Sequence, residues 1–142
     1  MATATTSTAP APARNLDVEL TKYKGAADIV HSVMQKLVAA AVEGKKVFDL
    51  VVEGDQAIEA AAASVYNKKT KTGTVAKGIA FPTCISVNNV VAHFAPLMSD
   101  PQSEQVLAKG DVVKIHLGAH IDGFAATSAE TLIVGATEDD PA

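Results

Sequence analysis

The dipeptide Asp122-Gly123 separates two runs of alternating side chains, "VVKIHLGAHI" before it and "FAATSAETLI" after it. Both residues tolerate the positive φ that a two-residue turn between antiparallel strands demands, so the stretch predicts a β-hairpin. Its register follows from the turn. Ile121 faces Phe124, His116 faces Ala129, and Thr127 becomes the diagonal neighbour of His116 on one face, about 7 to 8 Å away. His116 and His120 stand four residues apart, a spacing that on a helix lets both ligate one zinc ion. On a strand rising about 3.3 Å per residue they lie roughly 13 Å apart, too far for an ion that takes its ligands near about 2 Å. The histidine pair is no metal motif by itself.

Upstream the period changes. From Thr21 to Val42 the apolar positions Ala26, Val30, Val33, Leu37, Val38 and Ala41 recur at three and four, and Gly44 follows, which predicts an amphipathic helix with a glycine stop. A second helix is expected from Asp49 to Tyr66 on Leu50, Ile58, Ala61, Ala62 and Val65, with Gly54 weakening its first turns. The segment "GIAFPTCISVNNVVAHFAPL" carries β-branched residues, Pro82, Pro96 and an Asn88-Asn89 pair suited to a turn, and reads as two short strands. Lys109-Gly110-Asp111 then turns the chain into the hairpin. Two helices followed by four or so strands make an α+β unit, an antiparallel or mixed sheet with both helices on one face.

Composition bounds the rest. A chain of 142 residues, 48% hydrophobic but only 4% aromatic, can bury an aliphatic core. No apolar run reaches the roughly 18 residues of a membrane span, and the start lacks the charged and apolar blocks of a secretory signal. Residues 1–16, rich in Ala, Thr and Pro, are expected to be a disordered leader; 17–136 the folded unit; 137–142 an acidic frayed tail. The lone Cys84, inside "FPTCISV", reads as a buried small hydrophobe and fits a reducing compartment. A net charge of −4 argues against general adhesion to nucleic acid. The one basic segment, "YNKKTKTGTVAKG", offers Lys68, Lys69, Lys71 and Lys77 as candidate phosphate contacts or as a solvated loop.

Three stretches carry a family resemblance: "LTKYKGAADIVHSVMQKLV", "KGIAFPTCISVNNVVAHFAPLMSD" and "KGDVVKIHLGAHIDGFAATSAETLIV", together covering most of residues 20–135. They resemble the proliferation-associated, ErbB-receptor-binding proteins and their fungal curved DNA-binding relatives, a non-peptidase branch of the methionine aminopeptidase-like pita-bread superfamily. The resemblance implies the first of two pseudo-symmetric halves, the second supplying one more histidine and two glutamates in active enzymes. It also implies that two metal-ligating aspartates, eleven residues apart, match His116 and Thr127. A two-metal site relies on bridging carboxylates, so the resemblance implies a metal-free, non-catalytic protein without cofactor. His93 matches the cleft histidine of the active enzymes and reads as a relic.

The function expected on these grounds is that of a binding module of cytoplasm and nucleus or nucleolus. Ribosomes, rRNA or proteins are its expected partners, in ribosome biogenesis, translation or growth regulation, with no membrane contact. Curved DNA is the alternative partner, and metal-dependent aminopeptidase activity the alternative chemistry. A lone half leaves sheet surface uncovered, so the chain reads as a fragment, a truncated product or an oligomer that hides that face. His31 is expected on a helix surface or partly buried, without a role. His120 shares the strand parity of His116, and Asp122, as the turn residue, points away from the convergence point.

Overall fold

A computed structural model describes residues 15–68 and 73–136. The first helix, α1, spans Leu16–Ala40 and starts five residues before the expected Thr21. Asn15 explains the early start, because its side-chain carbonyl accepts a hydrogen bond from the Val18 amide at 3.4 Å, while Asp17 and Glu19 face the positive end of the helix dipole. Leu16 is therefore helical rather than part of a leader. The remainder of that expected leader, and the tail 137–142, lie outside the described residues. Ala26, Ile29, Val30, Val33, Met34 and Leu37 form the buried stripe. His31 is exposed, the first of the two placements expected for it.

The second helix, α2, runs Val47–Ser64, two residues earlier at each end than its pattern suggests. Val65 is extended and Tyr66 takes φ +51°, which ends the helix. Gly54 is not a weak first turn but a buried contact point. A Cβ there would fall 2.5 Å from the Thr83 hydroxyl oxygen and 3.0 Å from Leu37 Cδ1. Glycine lets α2 press onto the sheet, and Asp55 beside it accepts a 2.8 Å hydrogen bond from the Thr83 amide.

The sheet holds three antiparallel strands in the order β1 (Lys77–Val87), β2 (Val112–Ile121) and β3 (Phe124–Ile133). The segment read as two short strands forms one, the eleven-residue β1. Its register with β2 shifts on either side of Phe81, and these irregularities absorb Pro82, which cannot donate to a ladder. Beyond the Asn88-Asn89 turn the chain makes no second strand. It doubles back instead, with the Ile85 amide donating to the Phe94 carbonyl at 2.8 Å, before a short 3-10 turn at Pro101–Glu104. The β2–β3 hairpin has the expected register, with Ile121 opposite Phe124 and His116 opposite Ala129. Asp122 and Gly123 both have positive φ, +56° and +80°.

Alternation decides which face is core. Val113, Ile115, Leu117, Ala119 and Ile121 of β2 are fully buried against the helices, with Ile85 and Val87 of β1 beside them. The intervening residues, Lys114, His116, Gly118 and His120, turn to the opposite face. Cys84 is 3% exposed, and its thiol pKa is raised by burial and by the nearby Asp55 carboxylate, which fits an inert small hydrophobe. No helix among the described residues is long and apolar enough to cross a membrane.

Candidate functional site: the open face of the hairpin

The helix-free face of the sheet gathers the residues that sequence reasoning singled out. Gly118 lies opposite Thr127 on β3 and Phe81 on β1, while His116 lies opposite Ala129 and Cys84. Thr127 is thereby the diagonal neighbour of His116, as the hairpin register requires. A Cβ on Gly118 would fall 2.7 Å from the Thr127 methyl and 2.9 Å from Phe81 Cβ, so the missing side chain draws both neighbours together.

Over this point three rings converge. Phe81 stacks on His116 with ring centroids 4.1 Å apart and planes 26° from parallel. His93 reaches in from the connection after β1, its centroid 5.5 Å from Phe81 and 5.8 Å from His116. Its backbone has φ +61°, a left-handed conformation that costs a non-glycine residue energy unless its surroundings hold it. The hold comes from the next residue, whose carbonyl binds the Ile85 amide and whose amide donates to the Ser86 hydroxyl at 3.3 Å.

Phe81 was not among the residues singled out from sequence. Alternation along β1 fails at Pro82, so its facing could not be counted. His120 shares the face but sits at the turn end, opposite Gly78 and Ala125, and its Nδ1 accepts from the Gly123 amide at 3.4 Å. Asp122 points the other way and pairs with Lys22 of α1.

The residues that β2 and β3 turn to this face are Lys114, His116, Gly118 and His120, with Ala125, Thr127, Ala129 and Thr131 across from them. None carries a carboxylate. Two imidazoles and two hydroxyls do not suit a pair of hard divalent cations, which need bridging oxygens to sit about 3.5 to 4 Å apart. Among the described residues, no three of His, Cys, Asp and Glu gather where they could hold a metal ion. What the face can offer a ligand is a partly exposed aromatic and imidazole surface beside small side chains.

The lysines do not act together. Lys68 is exposed at the end of α2, whereas Lys77 belongs to β1 and is half-buried. Its ammonium donates to the Val65 carbonyl and to the Asn67 side chain at the C-terminus of α2, so it closes a helix end rather than waiting for phosphate. Lys69 and Lys71 lie outside the described residues. Two cavities of about 570 and 520 Å³ share Tyr66 and Val75 at this end of the molecule, away from the ring cluster.

Comparison with known proteins places this geometry. Residues 21–142 match the model of metallopeptidase family M24. A curved DNA-binding protein of Schizosaccharomyces pombe is 46% identical over 113 residues, covering 80% of this chain and 29% of its own length. An ERBB-3 binding protein 1 of Arabidopsis thaliana is 46% identical over 115 residues, covering 81% of this chain and 28% of its own. Among solved structures, a thermophilic Arx1 superposes with a TM-score of 0.78 at 32% identity, over 89% of this chain and 33% of the other. A methionine aminopeptidase of Thermotoga maritima gives 0.63 at 28% identity, over 86% and 45%. The chain spans less than a third of the length of these curated relatives.

Proposed function

Because the chain belongs to metallopeptidase family M24, we propose that it is a non-catalytic, peptidase-derived binding protein acting on ribosomes, rRNA or their protein partners in cytoplasm and nucleus or nucleolus. Its fold is the N-terminal half of the pita-bread architecture. The observation that carries the reading is the open face of the β2–β3 hairpin, which turns no carboxylate toward His116 and Thr127. By resemblance those two positions hold aspartates in active methionine aminopeptidases. An imidazole and a hydroxyl cannot bridge two cations and activate water between them. The scaffold is then left to recognise. A relative named as an ERBB-3 binding protein supports binding, while others are named methionine aminopeptidase and probable metalloprotease.

The basic segment is the proposed contact with phosphate, now weighted to Lys68, Lys69 and Lys71, since Lys77 holds the end of α2. Its test is co-sedimentation with ribosomes across a salt series. The triple variant Lys68→Ala/Lys69→Ala/Lys71→Ala should lose binding with a shallower salt slope. Unchanged co-sedimentation removes these lysines from the reading. In parallel, a Met-Ala peptide assay with cobalt or manganese should give no turnover, and measurable turnover overturns the non-catalytic reading.

Curved DNA is the second reading, favoured by the name of the fission yeast relative. The chain's net charge of −4 weighs against general adhesion to DNA and rRNA phosphate alike, and among the partners proposed it leaves protein contact unaffected. Retention on curved DNA exceeding retention on ribosomes at equal salt would reverse the order.

A further inference from the structure

Tyr66, the residue after the cap of α2, has φ +51°. Glycine is the usual occupant of a left-handed position just past a helix, and a bulky side chain there persists only where its surroundings hold it. Lys77 supplies the hold. Its ammonium donates to the Val65 carbonyl and to the Asn67 side-chain oxygen, on either side of Tyr66, while the Asn67 side-chain amide donates to the Ala63 carbonyl at 2.9 Å. The far end of the ring rests on α1, with its hydroxyl 3.5 Å from the Thr21 carbonyl oxygen and Cε2 beside Gly25. The ring is thus fixed at its root and at its tip.

We propose that Tyr66 is a platform on which one base of a single-stranded RNA stacks, with Lys68 meeting the phosphate beside it. The cavity of about 520 Å³ along the ring is lined by Tyr66, Asn67, Lys68 and Val75. That volume lies within the about 300 to 1,000 Å³ of small-ligand sites. Its walls are local, since all four residues belong to the connection between α2 and β1, and β1 is the sheet edge remote from β3. They offer one flat ring, one apolar wall at the half-buried Val75, and one exposed cation, Lys68, with no ion pair among the described residues. A base stacks on an aromatic face whatever its identity, while the lysine offsets the charge of the adjoining phosphate. Stacking also supplies affinity that a net charge of −4 does not weaken. An acidic peptide would use the lysine but leave the fixed ring with nothing flat to stack on. The inference rests on the RNA reading of the basic segment and adds the base contact to it.

Fluorescence anisotropy of the 142-residue chain with a labelled hexauridylate RNA tests it, beside an abasic ribose-phosphate hexamer and a hexaglutamate peptide. The RNA should bind about tenfold or more tightly than the abasic hexamer. Tyr66→Phe, which keeps the ring, should leave the RNA Kd within about twofold, and Tyr66→Leu should raise it about tenfold while binding the abasic hexamer like the parent. Equal affinity for RNA and abasic hexamer, with Tyr66→Leu unchanged, overturns the base contact and leaves the phosphate contact standing. Binding of neither overturns both. A hexaglutamate peptide held as tightly as the RNA overturns the proposal in favour of a protein partner. NMR on the parent needs no variant: the Tyr66 ring protons should move upfield on titration with the RNA and stay in place with the abasic hexamer. Ring protons that do not move while the RNA binds overturn the stacking.

Discussion

Gly54 of α2 and Thr83 of β1 meet where no further carbon fits: a Cβ on Gly54 would lie 2.5 Å from the Thr83 hydroxyl oxygen and 2.6 Å from its methyl. Thr83 is fully buried, its hydroxyl has no hydrogen-bond partner among the described residues, and Asp55 pins its backbone. Little can yield. Overpacking of this kind costs about 1 to 3 kcal/mol, and the helical preference of alanine over glycine offsets up to about 1 kcal/mol of it. Gly54→Ala is expected to lower stability by about 1 kcal/mol in urea unfolding. Combined with Thr83→Ala, which removes both clashing atoms, it should cost less than the two single changes summed. Strict additivity would show that the helix and strand do not meet as described.

Gly118 imposes the same constraint at the ring cluster. Its surroundings are the Thr127 methyl, Phe81 Cβ and the Ala126 carbonyl oxygen, at 2.7, 2.9 and 3.1 Å from an added Cβ. The carbonyl is backbone and cannot turn away, so Gly118→Ala must push Phe81 or Thr127 off the face. The expected loss is about 1 to 3 kcal/mol. Because Phe81 stacks on His116, the imidazole proton resonances of His116 should lose the ring-current shift they have in the parent. Unchanged resonances with unchanged stability would contradict the packing.

The tip of the hairpin is tied to α1 by the Lys22–Asp122 ion pair, with Lys22 also 5.2 Å over the Phe124 ring. Asp122 does two jobs, because its φ of +56° suits Asp, Asn or Gly. The side chains are 17% and 46% exposed, so solvent screens the pair and its contribution is about 0.5 kcal/mol. Asp122→Asn should lose that amount at low salt and converge with the parent at high salt. Asp122→Ala should lose more, by about 0.5 to 1 kcal/mol, since it also forces a β-carbon residue without a local hydrogen-bonding side chain into the left-handed region. Chemical denaturation at two ionic strengths separates these contributions.

The contrast between what could and could not be read from the chain is visible in β1 and β2. On β2 alternation is uninterrupted, so the facing of His116 and its diagonal to Thr127 follow from one turn dipeptide. On β1 Pro82 breaks the ladder, the register slips twice, and parity no longer tells that Phe81 reaches His116. His93 was named by resemblance, but its place beside Phe81 and His116 was hidden for another reason. A turn at Asn88 was legible, but the doubling back depends on long-range bonds from Phe94 to Ile85 and Ser86, which no local pattern encodes. Helix α1 began early because a single Asn15 cap outweighs an unremarkable apolar spacing, and Lys77 read as a loop cation because Gly78 directly after it hid the strand start.

Asp111 joins the turn before β2 to the turn after β1. Its carboxylate accepts from the Ala108 amide at 2.9 Å and from the Asn88 side-chain amide at 2.8 Å, while Asn88 in turn accepts from the Val112 amide at 2.9 Å. The Ala108 hydrogen bond first, and the Asn88 one second, hold the Asp111 pKa below its ordinary 3.8. A carboxylate more acidic in the folded than in the unfolded chain binds fewer protons when folded, so its contribution to stability is complete above the unfolded value and fades as pH falls through the folded one. The window of loss therefore lies below about pH 4. Asp111→Asn should be less stable than the parent from neutral pH down to about pH 4, and the gap should close below it. Urea midpoints measured as a function of pH check this, and a gap that widens on acidification would mean that Asp111 is bound more tightly as the neutral acid.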